Sequence, residues 1–291
     1  MSARDKSIDV GTFKCTLIPD GTFAYHDPAA VFATNAPRQE LSEALRRQGI
    51  DLENWHEYAT PYPCLLVDTG RQRVLIDTGA GTMVPTTGHL IPNLRAAGVP
   101  PEAIDVVVVT HAHPDHIGGA IDGEGQPAFP NARYVIHADE WAFWTATPDL
   151  SSLPVADEIK ELILGMAHSH LSALRGQIDL VKGEAEIVPG IQALATPGHT
   201  PGHISIAVSS EGEKLLYGSD VLLLPIHVER PEWYAAVDLE PERCLASKRR
   251  FLELAASEGE LVHGFHFLWP GLGYITRKGE AFKWEPLERV G

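Results

Sequence analysis

The chain has little to hold it together covalently. Its 291 residues include three cysteines, Cys15, Cys64 and Cys244. They are odd in number and far apart, which excludes a disulfide framework and a zinc-finger spacing. No apolar run approaches the roughly 18 residues of a membrane span. Residues 1–9 are polar and do not read as a signal peptide, so a reducing, cytoplasmic setting is expected. Positive charge is scarce: 23 Lys and Arg stand against 39 Asp and Glu, for a formal net charge of -16. That balance argues against nucleic acid or an anionic membrane as partner. No Gly-Lys-Ser or GxGxxG pattern follows Gly79 and Gly81, which excludes a phosphate loop. No serine stands in a G-x-S-x-G elbow, and no repeat or low-complexity linker divides the chain.

What the chain does have is concentrated in Thr110-His111-Ala112-His113-Pro114-Asp115-His116-Ile117-Gly118-Gly119. Three histidines and an aspartate crowd the end of the apolar run 105–109, which reads as a buried strand. A loop leaving a strand turns such side chains inward from several directions, and imidazole with carboxylate suits zinc and its divalent neighbours. The paired glycines suit a tight bend into a helix start.

Strands and helices alternate around this motif. Residues 11–18 read as a first strand, 22–37 as an irregular arm, 38–48 as a helix presenting Leu41, Ala44 and Leu45, and 50–61 as a connection. Three roles are open to this N-terminal arm of residues 1–61: covering a partner subunit in a homodimer, roofing a pocket, or stabilising a sheet edge. Residues 62–68 and 73–77 make a hairpin. Asp77 at its end has two readings, orienting a ligand histidine or capping the turn. A short helix is expected over 90–97, a strand over 133–137, and then an aromatic helix start where Trp141 and Trp144 either pack on the sheet or line a pocket. Residues 155–175 read as helical with Ile159, Leu162, Ile163 and Met166 on one side, and His168 and His170 read as helix-end or surface residues. Strands follow at 187–188, 191–195, 204–209, 214–218 and 261–263, with a loop over 221–238, a helix over 240–257, and edge strands over 274–277 and 281–284. Hairpins in both halves predict an α/β fold, an αββα sandwich of two mixed β-sheets with helices on the outer faces. One domain over 1–291 is expected, with the arm at 1–61 and an insertion at 138–186.

Four strand ends carry polar candidates: the opening motif, His199 in the rigid loop Thr196-Pro197-Gly198-His199-Thr200-Pro201-Gly202-His203, Asp220, and His266. Two divalent ions would meet seven protein donors if Asp220 bridged them, the carboxylate-containing cage that a bridging hydroxide needs. The pattern resembles the metallo-beta-lactamase fold hydrolases. His111-x-His113-x-Asp115-His116, the His199 loop, Gly218-Ser219-Asp220 and His266 stand in family order, over about residues 62–278. The resemblance implies that His111, His113 and His199 hold one ion and Asp115, His116 and His266 the other, with Asp220 between them. His203 falls outside that set. Zinc is the default, with manganese, iron and cobalt as alternatives.

The long N-terminal region, the insertion and the ending His266-Phe267-Leu268-Trp269-Pro270-Gly271-Leu272-Gly273 are most similar to one branch, that of the acyl-homoserine lactone lactonases and the methyl parathion hydrolase type. This resemblance implies hydrolysis of a lactone or carboxylic ester by a metal-bridging hydroxide, with quorum quenching as its setting. The alternatives are an organophosphate triester hydrolase and, further off, an iron-dependent oxidoreductase on the same fold. Asp220, and Asp115 as both ligand and proton shuttle, are the catalytic candidates. The candidates for the substrate wall are Phe23 and Tyr25 from the arm, Trp141 and Trp144 from the insertion, Leu223, Ile226, His227 and Trp233 after Asp220, and Phe267, Leu268 and Trp269 after His266. An apolar wall with few basic residues fits a neutral, partly apolar small molecule rather than a polyanion.

Overall fold

The computed structural model describes residues 6–287. The apolar runs of the first half form seven strands lying side by side in chain order: β1 (Lys6–Val10), β2 (Phe13–His26), β3 (Glu57–Asp68), β4 (Arg73–Ile76), β5 (Val106–Val108), β6 (Arg133–His137) and β7 (Ile178–Val181). Pairing is antiparallel from β1 to β4 and parallel from β4 to β7. The second half forms another seven: β8 (Ala185–Val188), β9 (Ile191–Ala195), β10 (Ile204–Ser210), β11 (Glu213–Tyr217), β12 (Leu261–His263), β13 (Leu272–Lys278) and β14 (Ala281–Pro286). Here only β11 and β12 run parallel.

Side chains alternate across a strand, so each run serves two layers. In β4 and β5, Val74, Ile76, Val106 and Val108 face the second sheet, while Leu75 and Val107 face outward. The inward set meets Ile204, Ile206, Val208 and Leu215 in a core between the sheets. Each such side chain contributes about 1.5–3 kcal/mol when fully buried. Eight α-helices lie among the described residues: α1 (Pro28–Phe32), α2 (Arg38–Arg47), α3 (Leu90–Ala96), α4 (Pro114–Ile117), α5 (Ala138–Thr145), α6 (Asp157–Leu174), α7 (Ile226–Glu229) and α8 (Pro241–Glu258). Residues of α3 to α6 cover the outer face of the first sheet, and α8 covers that of the second. The result is the αββα sandwich of two mixed sheets that the strand pattern predicted.

The arm is more regular than expected. β2 runs on through Pro19-Asp20-Gly21, with a register shift between Pro19 and Thr22, and stays paired to β3 as far as His26 and Glu57. The turn chemistry of Asp20 serves a different segment. Its buried carboxylate accepts the backbone N–H groups of Ala80, Gly88 and Leu90. Gly79 lies against it at a φ of 69°, where a Cβ would come within 2.4 Å of the Asp20 side chain. Beyond β2, Phe32, Leu41 and Leu45 pack with Leu223, Ile226 and Trp233, so the arm closes over the chain's own 221–238 segment.

In α6 the buried stripe is Ile163, Ala167, Leu171 and Leu174, whereas Ile159 and Leu162 are exposed, correcting the expected inward face. His170 belongs to the buried stripe rather than the surface. Its ring sits between the carbonyl oxygens of Met166 at 2.8 Å and Gly118 at 3.2 Å. The three cysteines are buried and unpaired. Among the described residues, no helix is long and apolar enough to cross a membrane.

Candidate metal centre

Parallel pairing brings the C-terminal ends of β4, β5 and β6 to one edge, where Asp77, His111 and the start of α5 follow. In the second sheet β9 and β11 both flank β10 antiparallel, and β12 is parallel to β11. Those three strands therefore end on one side, and His199, Asp220 and His266 follow them. Pro114 opens α4, where its missing N–H costs nothing, and the single turn presents Asp115 and His116.

Asp220 lies at the middle of the converging side chains. Its Oδ2 is 3.2 Å from His266 Nε2, 3.3 Å from His199 Nε2 and 3.8 Å from His111 Nε2, while its Oδ1 is 3.1 Å from His116 Nε2. Asp115 Oδ2 is 3.4 Å from His266 Nε2 and 3.9 Å from His116 Nε2. His113 Nδ1 is 2.9 Å from His199 Nε2. Three sets each gather their donor atoms within 4.8 Å: His111, His113 and His199; His111, His116 and Asp220; and Asp115, His116 and His266. All seven residues are buried except Asp115, whose side chain keeps 14% of its exposure.

Two of the rings are held from behind by carboxylates. His116 Nδ1–H donates to Asp77 Oδ2 at 2.9 Å, and His199 Nδ1–H donates to Asp238 Oδ1 at 2.7 Å. A proton fixed on Nδ1 leaves the Nε2 lone pair pointing into the centre. Asp77 also accepts the Thr110 backbone N–H at 2.8 Å, the Thr110 hydroxyl at 2.9 Å and the Tyr217 hydroxyl at 3.0 Å. This selects the orienting role for Asp77 and adds three contacts to it. The Thr110 hydroxyl also meets Ser219 Oγ at 2.8 Å and so joins the two sheets beside Asp220. Asp238 further accepts the Ala235 N–H, and the buried Lys248 ammonium lies 3.8 Å from it while donating to the Trp233 carbonyl at 2.7 Å. Glu140, fully buried, accepts from Ala112 N–H, Trp144 Nε1–H, Thr200 O–H and Gly202 N–H. It thereby ties the His111–His113 loop to the His199 loop. A Cβ on Gly202 would stand 2.0 Å from the Glu140 backbone nitrogen, so only glycine allows that approach.

Asp238 and Glu140 carry no motif in the sequence. The one clue is an acid among apolar neighbours: Asp238 after Ala235-Ala236-Val237, and Glu140 beside Trp141-Ala142-Phe143-Trp144.

The electrostatics call for a cation. Burial, with neighbouring imidazoles adding to it, pushes His111 and His113 well below the usual histidine range. Burial also opposes charge on His116 and His199, but carboxylates outweigh it. Asp220 and Asp77 hold His116 well above its ordinary value, and Asp220 and Asp238 lift His199 to about 9. Asp220 is held well below the carboxylate range by His116 and His266 despite its burial. The buried Nε2 atoms of His111, His113 and His116 and Oδ1 of Asp220 have no hydrogen-bond partner. Unpaired buried polar atoms of this kind cost free energy unless something binds them. A nitrogen and oxygen set with two carboxylates fits divalent zinc or a near neighbour.

Most of the expected substrate wall lies elsewhere. Tyr25 does reach the centre, its ring centroid 6.2 Å from that of His266. Phe23 is part-buried, edge-on to Tyr25 at 4.8 Å. Trp144 is a core residue: its ring lies 5.8 Å from His113, but it is buried and its indole N–H is committed to Glu140. Trp141 packs on the same outer core beneath Arg175. Leu223, Ile226 and Trp233 are interior to the cluster under the arm. His227 is a tether, with Nε2–H donating to the Phe32 carbonyl at 2.8 Å and Nδ1 facing the Leu224 N–H. Phe267 packs edge-on against Trp284. With Leu268 and Trp269 it lines an apolar cavity of about 570 Å³ beside Leu45, Trp55 and Trp284, a cavity that none of the seven donor residues lines.

Residues 58–266 match the family model described as the metallo-beta-lactamase superfamily. The N-acyl homoserine lactonase AiiA of Bacillus thuringiensis subsp. kurstaki is 27% identical over 229 residues, which cover 71% of this chain and 81% of that one. Among solved structures, AidC, a dizinc quorum-quenching lactonase in complex with a product, superposes with a TM-score of 0.89 at 27% identity over 99% of both chains. The hydrolase AbOPH, of the beta lactamase superfamily, does so with a TM-score of 0.85 at 26% identity, again over 99% of both.

Proposed function

The chain belongs to the metallo-beta-lactamase superfamily, and from that premise we propose that it is a two-ion hydrolase of lactones and carboxylic esters, with N-acyl homoserine lactones as its first substrate class. The observation that carries this reading is the position of Asp220, one carboxylate with an oxygen within 4 Å of the Nε2 atoms of His111, His116, His199 and His266. In this reading His111, His113 and His199 hold one ion, Asp115, His116 and His266 hold the other, and Asp220 is shared. The lactonase relatives at 27% identity support the substrate class.

Two such ions supply Lewis acidity, which lowers the pKa of water toward neutrality and polarises a carbonyl oxygen. The chain's own residues do the rest. Asp77 and Asp238 keep a proton on the Nδ1 atoms of His116 and His199 and so keep their Nε2 atoms open. Phe265, whose ring centroid is 4.1 Å from that of His116, and Tyr62, stacked on Phe265 at 5.7 Å, keep bulk water from the rear of the centre. Asp115 is the donor with residual exposure, so the substrate enters over it. In this reading the Asp115 carboxylate would take a proton from the attacking water and return it to the leaving oxygen. The tyrosine and phenylalanine rings near that mouth, Tyr25 and Phe23, favour a neutral substrate over an anionic one.

The test is a panel of acyl-homoserine lactones, aryl esters and phosphotriesters assayed with purified protein of measured metal content. Lactones are expected to give the highest kcat/KM, with about two ions per chain and loss of turnover after chelation. A higher kcat/KM on phosphotriesters would replace the substrate class, and turnover that survives complete metal removal would overturn the mechanism.

A further inference from the structure

The family match begins at residue 58, yet residues on both sides of that boundary reach the centre together. Past the register shift, residues 22–26 of β2 pair with residues 57–61 of β3. This extension gathers four hydroxyl side chains beside His266 and Asp115. Tyr58 and Thr60 both donate to the His266 carbonyl oxygen, at 2.9 and 2.7 Å. The hydroxyls of Tyr25 and Tyr62 are 2.8 Å apart, and both rings meet the His266 ring edge-on. Asp115 Oδ2 in turn lies 3.4 Å from His266 Nε2 and 3.9 Å from His116 Nε2, so what fixes His266 also bears on this half of the centre. On the other half, His199 leans on Asp238, and the Thr110 hydroxyl lies 3.2 Å from His111 Nδ1. Neither partner belongs to the arm.

We propose that the β2–β3 extension is the outer support of the Asp115–His116–His266 half of the centre, with Tyr58 and Thr60 as the positioning residues for His266, so that only one of the two ion sites depends on the arm. The proposal rests on the two-ion reading above. Metal-binding residues commonly owe a factor of about 10–100 in affinity to such outer partners.

Tyr58→Phe removes a single oxygen and keeps the ring contacts to Phe32 and Trp55. Metal-free wild type and variant are titrated with zinc against a chromophoric chelator, and the melting temperature of each metal-free protein is recorded. Wild type should bind two ions. In Tyr58→Phe one ion should bind about 10-fold more weakly and the other as before, with the metal-free melting temperature retained. Asp238→Asn should weaken the other ion instead. If metal-free Tyr58→Phe melts well below wild type, Thr60→Val, which leaves Tyr58 in place, carries the same test with a loss in the same direction. Unchanged affinities, or equal losses at both sites, against a two-ion wild type overturn this proposal alone. A wild type that binds a single ion overturns the two-ion reading and the proposal with it.

Discussion

Replacing Asp77 with asparagine should weaken one ion site without unfolding the protein. The carboxylate receives four donors, and Oδ2 takes three of them: His116 Nδ1–H, the Thr110 hydroxyl and the Tyr217 hydroxyl. In Asp77→Asn the remaining carbonyl keeps the Thr110 backbone N–H, and an NH2 group faces the other three. The two hydroxyls can reverse and accept from it. His116 can accept only by moving its proton to Nε2, the atom aimed at Asp220 Oδ1. The tautomer that suits asparagine therefore blocks the ligand position, and the tautomer that binds metal leaves two donors opposed. The lost bond to a charged acceptor is worth about 1.5–3 kcal/mol, which at 1.4 kcal/mol per decade is about 10- to 150-fold in affinity. Asparagine also tolerates the φ of 60° at this position, so the backbone need not move. The assay is competitive zinc titration beside urea unfolding of the metal-free protein. One ion should weaken by that factor while metal-free stability changes by no more than about 2 kcal/mol. Two wild-type affinities in Asp77→Asn, or a loss of stability larger than the loss of metal affinity, would refute the tautomer argument.

Glu140→Ala should cost more folding stability than any single donor replacement. It strands four buried donors at about 1–3 kcal/mol each before relaxation, and urea unfolding of the metal-free protein should register a loss of at least about 3 kcal/mol. Trp144→Phe should lower stability by about 1–3 kcal/mol through the lost Glu140 bond and leave KM within about twofold; a large KM change with unaltered stability would restore Trp144 to the substrate wall. In metal-free protein the His199 proton stabilises the fold, because its pKa is raised from 6.5 to about 9. That contribution is complete below pH 6.5 and is lost as pH rises through about 9, so melting temperatures recorded in chelator should fall across that window, and Asp238→Asn should flatten the fall.

The centre was legible because its donors sit where local signals are strongest. Each follows a short apolar strand, and the Thr110–Gly119 motif needs no tertiary information to be found. Asp77 was noticed for the same reason, although only the structure separates its two readings. The arm was not legible, because Pro19-Asp20-Gly21 has the composition of a chain reversal. Here a register shift absorbs it and its aspartate serves the backbone of residues 80–90. The substrate wall was hard to read for a different reason. Large apolar side chains near a motif are equally good core. Whether Trp144 faces a ligand depends on Glu140, one helical turn away but marked by no motif, and whether Trp233 does depends on Leu41, far away in the arm. His227 and His170 have no signature at all, since a carbonyl acceptor can lie anywhere in the chain.

The donors are divided between the layers. His111, His113, Asp115 and His116 follow strands of the first sheet, and His199, Asp220 and His266 follow strands of the second. In the two-ion reading an ion shared between them would be a clasp across the sandwich as well as a reagent, and no fragment of either half would carry a full set of ligands. Metal bound by the folded chain and not by the unfolded one would add to stability by mass action, so the melting temperature should rise with free metal concentration.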